Sequence, residues 1–198
     1  MPVVAIDGPA GSGKSTVARA VARRLGLDYL DTGAMYRSVA LAALRGGVDP
    51  VDGEGLARLA KQTEVENTAR IRAPDVTTIV STVAAHPEVR AEMVRRQREW
   101  VRGRGGGVVE GCDIGSVVFP DADVKVFLTA SEEERARRRQ RDEAAPDRAA
   151  VAADLARRDG LDSSRQVSPL RPADDALVID TTGRTVDDVV EEVLGLLS

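Results

Sequence analysis

Cys112 is the only cysteine in the 198-residue chain, so an intrachain disulfide is excluded and a reducing compartment, the cytoplasm, is expected. Lysine is almost as scarce, occurring only at Lys14, Lys61 and Lys125, so nearly all positive charge is arginine. That bias suits forked recognition of phosphate, and equally a bias in genomic base composition. The single histidine, His86, has no second residue at metal-ligand spacing and reads as a surface or helix-start residue; Trp100 reads as packing. The first residues lack the basic stretch and long apolar core of a leader, and no run approaches membrane-spanning length. Neither export nor a membrane is therefore expected. A net charge of −4 argues against a nucleic-acid binder held by global charge.

What is present is an ordinary globular composition, 42% hydrophobic and 30% charged, long enough for one well-cored domain with a small insertion. Short apolar runs at Val3–Ile6, Gly107–Glu110, Val124–Leu128 and Leu177–Asp180 predict buried parallel strands, with Tyr29–Asp31 a weaker fifth. Helical spacing predicts helices over Thr16–Leu25, Ala34–Arg45, Val89–Arg102, Glu132–Arg141 and Val186–Leu197. Strands alternating with helices predict a doubly wound parallel α/β sheet, whose ligands gather outside the carboxyl ends of the strands. Two stretches depart from this pattern. Asp49–Thr82 holds a short amphipathic helix around Leu56 and Leu59, then a polar segment through Pro74. Arg135–Arg171 is dense in arginine and aspartate and is interrupted by Pro146. Its plain reading is a solvated helical face, but a mobile lid over a polyphosphate makes better use of so many guanidinium groups.

The most specific signal is Gly8-Pro9-Ala10-Gly11-Ser12-Gly13-Lys14-Ser15, followed by Thr16. It satisfies G-x-x-x-x-G-K-[ST] between a strand and a helix. Small residues let backbone N–H groups curl around the phosphates of ATP or a similar donor. Lys14 reaches the β- and γ-phosphates, and Ser15 offers a hydroxyl to Mg²⁺. GTPases, motor ATPases and small-molecule kinases all share such a grip. No base-reading Asn-Lys-x-Asp segment follows it, and Val108–Glu110 is the nearest approach to the acidic strand end of a motor ATPase. Arginines at strand ends and in the lid fit a kinase, which needs cations around two reacting phosphates and a closure that excludes water.

Beyond this point the chain resembles the bacterial cytidylate kinases, a branch of the nucleoside monophosphate kinases. The resemblance rests on Ile6–Thr16, Leu30–Arg37, Val83–Arg90, Val109–Pro120, Val124–Ser131, Arg158–Leu170 and Ala173–Thr182, in family order from end to end. It implies a three-layer P-loop kinase sandwich on a parallel sheet of about five strands. It implies a single domain: a core (1–48, 83–134, 166–198), a reduced acceptor-binding insert (49–82) and an arginine-rich lid (135–165). It also implies γ-phosphoryl transfer from ATP, with Mg²⁺, to CMP or dCMP by a monomer that needs neither nucleic acid nor membrane.

By the same resemblance, Ser81, Arg90 and Asp113 read the cytosine edge. Arg37 holds the acceptor phosphate with Thr32 beside it, and Arg158, Asp162 and Arg165 contact acceptor ribose and phosphate. Lys14, Arg37, Asp113 and Arg158 form the catalytic set, and Arg138 and Arg139 are candidates for the ATP phosphates. Plainer alternatives stand beside these roles. Arg37 can pair with Asp31 or Glu66, Ser81 and Asp113 can be helix caps, and the lid residues can form a salt-bridge ladder.

Two departures from the family pattern stand out. Cys112 occupies the place of an arginine in Glu-Gly-Arg-Asp that is expected on the CMP phosphate. Losing one charge-assisted contact to a transferring group costs about 2–4 kcal/mol. A low-pKa catalytic thiol is the alternative for Cys112, though phosphoryl transfer needs no such nucleophile. The insert is also too short for the family's β-rich subdomain. A kinase of the same fold with a different small-molecule or modified-cytidine acceptor, and an idle ATP-binding module, remain the alternative functions.

Overall fold

The computed structural model describes residues 1–143 and 147–197; Pro146, expected to interrupt the arginine-rich stretch, lies outside them. The chain forms two compact units, one from residues 1–30 and 104–198, the other from 31–103.

The first unit carries the sheet. Strands β1 (Val3–Asp7), β2 (Tyr29–Asp31), β3 (Gly107–Gly111), β4 (Val124–Thr129) and β5 (Leu177–Asp180) lie in the order β2-β3-β1-β4-β5. The pairings of β1 with β3 and β4, and of β4 with β5, are parallel. β1 sits at the centre, which is why its sequence is a continuous apolar run rather than an alternating one. Helices α1 (Lys14–Leu25) and α8 (Val186–Gly195) cover the sheet. Val17, Val21, Val189, Val190 and Val193 share one core cluster with Val4, Ile6, Val126 and Leu128. Gly26 ends α1 in the left-handed conformation, and a reciprocal Thr185–Asp188 capping box starts α8. Between them run α6 (Glu132–Glu143) and α7 (Arg148–Ser163), which make up the arginine-rich stretch.

All five predicted strands form, and one is corrected in its burial. Leu177 and Val178 of β5, the edge strand of the sheet, are exposed, and only Ile179 is buried, where it joins the core cluster with Val189, Val190 and Val193.

The second unit is helical. It contains α2 (Thr32–Gly46), α3 (Gly53–Gln62), a 3-10 turn (Ala69–Arg72), α4 (Pro74–Val83) and α5, which runs from Pro87 to Arg104. No strand forms between Asp49 and Thr82. The sequence pattern missed α4, which begins with Pro74 at a position where its absent N–H is no loss. The Ser38 hydroxyl bonds back to the Ala34 carbonyl and accepts the Glu66 amide at 2.9 Å, fastening the segment after α3 to α2. Arg96 caps the end of α3 through the carbonyls of Ala60 (3.1 Å) and Thr63 (2.8 Å).

Fully buried Ile6 and half-exposed Val178 make a clean contrast. Ile6→Ala should lower unfolding free energy by about 2–5 kcal/mol and Val178→Ala by less than about 0.5 kcal/mol, measured as urea midpoints.

Candidate active site

The loop from Gly8 to Ser15 owes its shape to three glycines at positive φ: Gly8 (146°), Gly11 (78°) and Gly13 (91°). A Cβ on Gly8 would collide with the Leu128 carbonyl, so this position also admits no side chain on steric grounds. The loop's carbonyls are taken up from below and from the side. Pro9 O accepts from Lys14 Nζ at 3.0 Å, and Ala10 O from Arg135 at 3.2 Å. Ser12 O accepts from Arg138 at 3.3 Å and from the Thr181 hydroxyl at 3.0 Å. Thr181 shares its single hydroxyl hydrogen between Ser12 O and Thr129 O and accepts from Arg138 at 2.8 Å. With these carbonyls occupied, the first-turn amides of α1 are left to favour an anion. The Ser12 hydroxyl is fully buried with no hydrogen-bond partner among the described residues, a further orphan that a phosphate oxygen would satisfy. Of the other loop residues, Ser15 is half-buried in the first turn of α1 and Thr16 is exposed.

Arg138, a candidate for direct phosphate contact, braces the loop: Glu134 fixes it at 2.7 Å and it donates to Ser12 and Thr181. Arg135 was not singled out by sequence reasoning. It is buried, donates to Ala10 and pairs with Asp159 of α7, tying both arginine-rich helices to the loop. Burial raises the Asp159 carboxyl despite that direct bond.

At the end of β1, buried Asp7 accepts the amides of Ile114 and Gly115, each at 2.7 Å. It thereby fixes a π-helical turn, Ile114–Val118, whose preceding residues are Cys112 and Asp113. Burial lifts the Asp7 carboxyl to about 7; the two amides and Lys14 pull it down, but desolvation outweighs them. Asp113 is buried and its side chain makes no cap bond to the turn, so the cap alternative is set aside. The charges felt by Cys112 are those of Lys14, Asp162, Arg165 and Asp113, which places the thiol in the loop's neighbourhood. Burial pushes that thiol up to about 11, the opposite of an activated nucleophile. In α7 and just beyond it, Asp162 and Arg165 form a buried ion pair three residues apart, and Arg158 Nε is buried without a hydrogen-bond partner among the described residues.

In the second unit, Asp31 caps α2 by accepting the Ala34 amide at 2.8 Å. The same carboxylate holds Arg37 (3.0 and 3.1 Å) and Arg72 (2.8 Å). Of the two partners the sequence offered Arg37, Asp31 is the one adopted, and Glu66 pairs with Arg45. Thr32 is buried at the first position of α2. Ser81 is buried inside α4 rather than capping it. Arg90 is buried, lies over the Tyr36 ring at 5.3 Å and donates to Ala84 O at 3.2 Å. His86 bonds Pro50 O at 2.8 Å, a structural tie next to the start of α5.

A family model described as cytidylate kinase matches residues 4–198. The chain belongs to the cytidylate kinase family. A cytidylate kinase of Desulfitobacterium hafniense (strain Y51) is 47% identical over 214 aligned positions, covering 98% of this chain and 92% of that protein. One from Mycolicibacterium paratuberculosis (strain ATCC BAA-968 / K-10) is 49% identical over 215 positions, covering 98% and 94%. Both alignments exceed the 198 residues of this chain, so these relatives carry segments that it lacks. Among solved structures, a shikimate kinase from Acinetobacter baumannii is 20% identical with TM-score 0.51, covering all of this chain and 93% of its own. A gluconokinase from Sinorhizobium meliloti 1021 is 16% identical with TM-score 0.53, covering 99% and 91%. These two share the P-loop kinase fold.

Two measurements follow for this member of the cytidylate kinase family. Asp7 is ionised in the unfolded chain from near pH 3.8, but in the folded one only near 7. Its stabilising contribution is complete below the lower value and lost as pH rises through the upper one. Asp7→Asn should therefore gain stability relative to wild type by at most about 4 kcal/mol between pH 4 and pH 7.5, whatever its constant offset. A flat difference across that range would contradict the assignment. Cys112, the only thiol, should react with iodoacetamide at pH 7.5 about a hundredfold more slowly in native than in unfolded protein, followed by mass spectrometry.

Proposed function

We propose that this protein transfers the γ-phosphoryl group of ATP to CMP or dCMP, giving ADP and the cytidine diphosphate. The observation that carries the reading is a cytidylate kinase match over residues 4–198 in a chain whose phosphate loop is intact and braced. The buried Ser12 hydroxyl, without a partner among the described residues, and the glycine cradle at Gly8 fit the polyphosphate of ATP. Lys14 would exchange the Pro9 carbonyl for the β- and γ-phosphates, where it neutralises charge as the bond to the leaving oxygen lengthens. Among the described residues no cluster of three metal-ligating side chains occurs. Mg²⁺ would then take the Ser15 hydroxyl, with phosphate oxygens and water completing its shell, as a hard cation with few protein ligands does. Bound Mg²⁺ supplies charge neutralisation of the donor phosphates.

On the acceptor side, Arg37 is the phosphate ligand and Thr32 its neighbour. Ser81, Arg90 and Asp113, all buried, are assigned to the base. Asp113 would accept the exocyclic amine that cytosine has and uracil lacks, the strong form of discrimination. Arg158, Asp162 and Arg165 serve acceptor ribose and phosphate, with Asp162 facing sugar hydroxyls. Residues 135–165 act as the lid, 49–82 as the reduced insert, and the rest as the core. The site of action is the cytoplasm and the working form a monomer; among the described residues no helix is long and apolar enough to cross a membrane.

Cys112 favours a second reading, a kinase of this fold with a different or modified acceptor. ADP release measured with CMP, dCMP, UMP, AMP and no acceptor separates the two. CMP or dCMP is expected to dominate; indifference to every nucleotide ends the cytidylate reading, and ATP binding without acceptor-dependent turnover marks an idle module. Lys14→Ala should lower kcat by about a hundredfold or more. Cys112→Arg should lower the CMP KM about tenfold, and an unchanged or raised KM would show a rebuilt pocket.

A further inference from the structure

We infer that Arg72, from the 3-10 turn before α4, is a second ligand of the acceptor phosphate, paired with Arg37 and held ready by Asp31. The inference rests on the reading of the second unit as the acceptor side.

Asp31 is one carboxylate serving three donors: the Ala34 amide, Arg37 and Arg72. Two guanidinium groups against one carboxylate leave an excess positive charge, and one oxygen of that carboxylate is already shared with the cap. This excess sits at the N-terminus of α2, a 15-residue helix whose first-turn amides and dipole add to it. The residue that would obstruct an approach is Gly33, where a Cβ would lie 3.0–3.2 Å from both Arg37 Nη atoms and Asp31 Oδ1. Glycine there keeps a side chain out of the space beside the Arg37 guanidinium. Arg72 is the more accessible of the two arginines, with 43% of its side chain exposed against 19% for Arg37.

A phosphate monoester carries nearly two charges and three oxygens, so it suits this arrangement better than a carboxylate does. It can take a forked bond from each arginine, while Asp31 keeps its bond to Ala34. A purely structural Arg72–Asp31 tie would instead fasten the shortened insert to α2, and the two roles separate experimentally.

The test measures steady-state KM for CMP and for ATP, and the inhibition constant of cytidine, which has base and sugar but no phosphate, in wild type, Arg72→Ala and Arg72→Lys. Arg72→Ala should raise the CMP KM by about ten- to a hundredfold, leaving the ATP KM and the cytidine constant within about twofold. Arg72→Lys, which keeps the charge and loses the fork, should show a smaller rise of the same kind, and it carries the test if the alanine variant does not fold. A CMP KM within twofold of wild type in the folded variants overturns the inference. So does a cytidine constant that rises in parallel, which marks a structural tie. Wild type inactive with every nucleoside monophosphate instead sinks the kinase reading, and the inference with it.

Discussion

Everything in the first unit depends on which way the peptide groups of one short loop point. A turn of backbone carries donors and acceptors in equal number, and it binds an anion only if the acceptors are satisfied elsewhere. Here Lys14, Arg135, Arg138 and Thr181 hold the carbonyls of Pro9, Ala10 and Ser12. These bonds are individually modest. Together they fix the loop's polarity before any nucleotide arrives, which is the preorganisation that makes electrostatic catalysis effective. The same bonds fasten α6, and through Asp159 also α7, to the phosphate grip.

Asp31 plays the corresponding part in the second unit. It begins α2, orients two arginines and lies at the carboxyl end of a strand, where α/β sheets present their ligands. Asp7 is the buried counterpart in the first unit. It spends both oxygens on backbone amides, so the turn after β3 is fixed, and with it the backbone entering that turn at Cys112 and Asp113. Carboxylates at strand ends, more than the arginines they orient, set the geometry.

The local features were legible in the sequence. A glycine-spaced loop between an apolar run and a helical stripe can hardly be anything else, and four of the strands read directly from short valine-rich or isoleucine-bearing runs, with Tyr29–Asp31 the fainter fifth. The loop's braces were not legible, since Arg135 and Thr181 lie 125 and 169 residues from the carbonyls they hold and nothing in their neighbourhood marks them. The bonds Arg138 makes to Ser12 and Thr181 were hidden for the same reason: a guanidinium noticed for its charge near a phosphate loop serves loop, phosphate or both according to geometry alone. α4 was hidden because Pro74 reads as a stop when it is a start. β5 looked like an interior strand because composition cannot tell the edge of a sheet from its middle.

That edge has its own consequence. A sheet of parallel strands with uncovered rims invites a neighbouring molecule to add itself as a further strand. Here β5 is four residues long and β2 three, so either rim offers a stranger only one or two rungs of ladder. Asp180 closes the strand with a charged side chain, and the Asp175–Lys125 ion pair stands just before it, so charged groups bracket the apolar residues of β5. The brevity of the outer strands thus helps keep an arginine-rich protein from polymerising through its own scaffold.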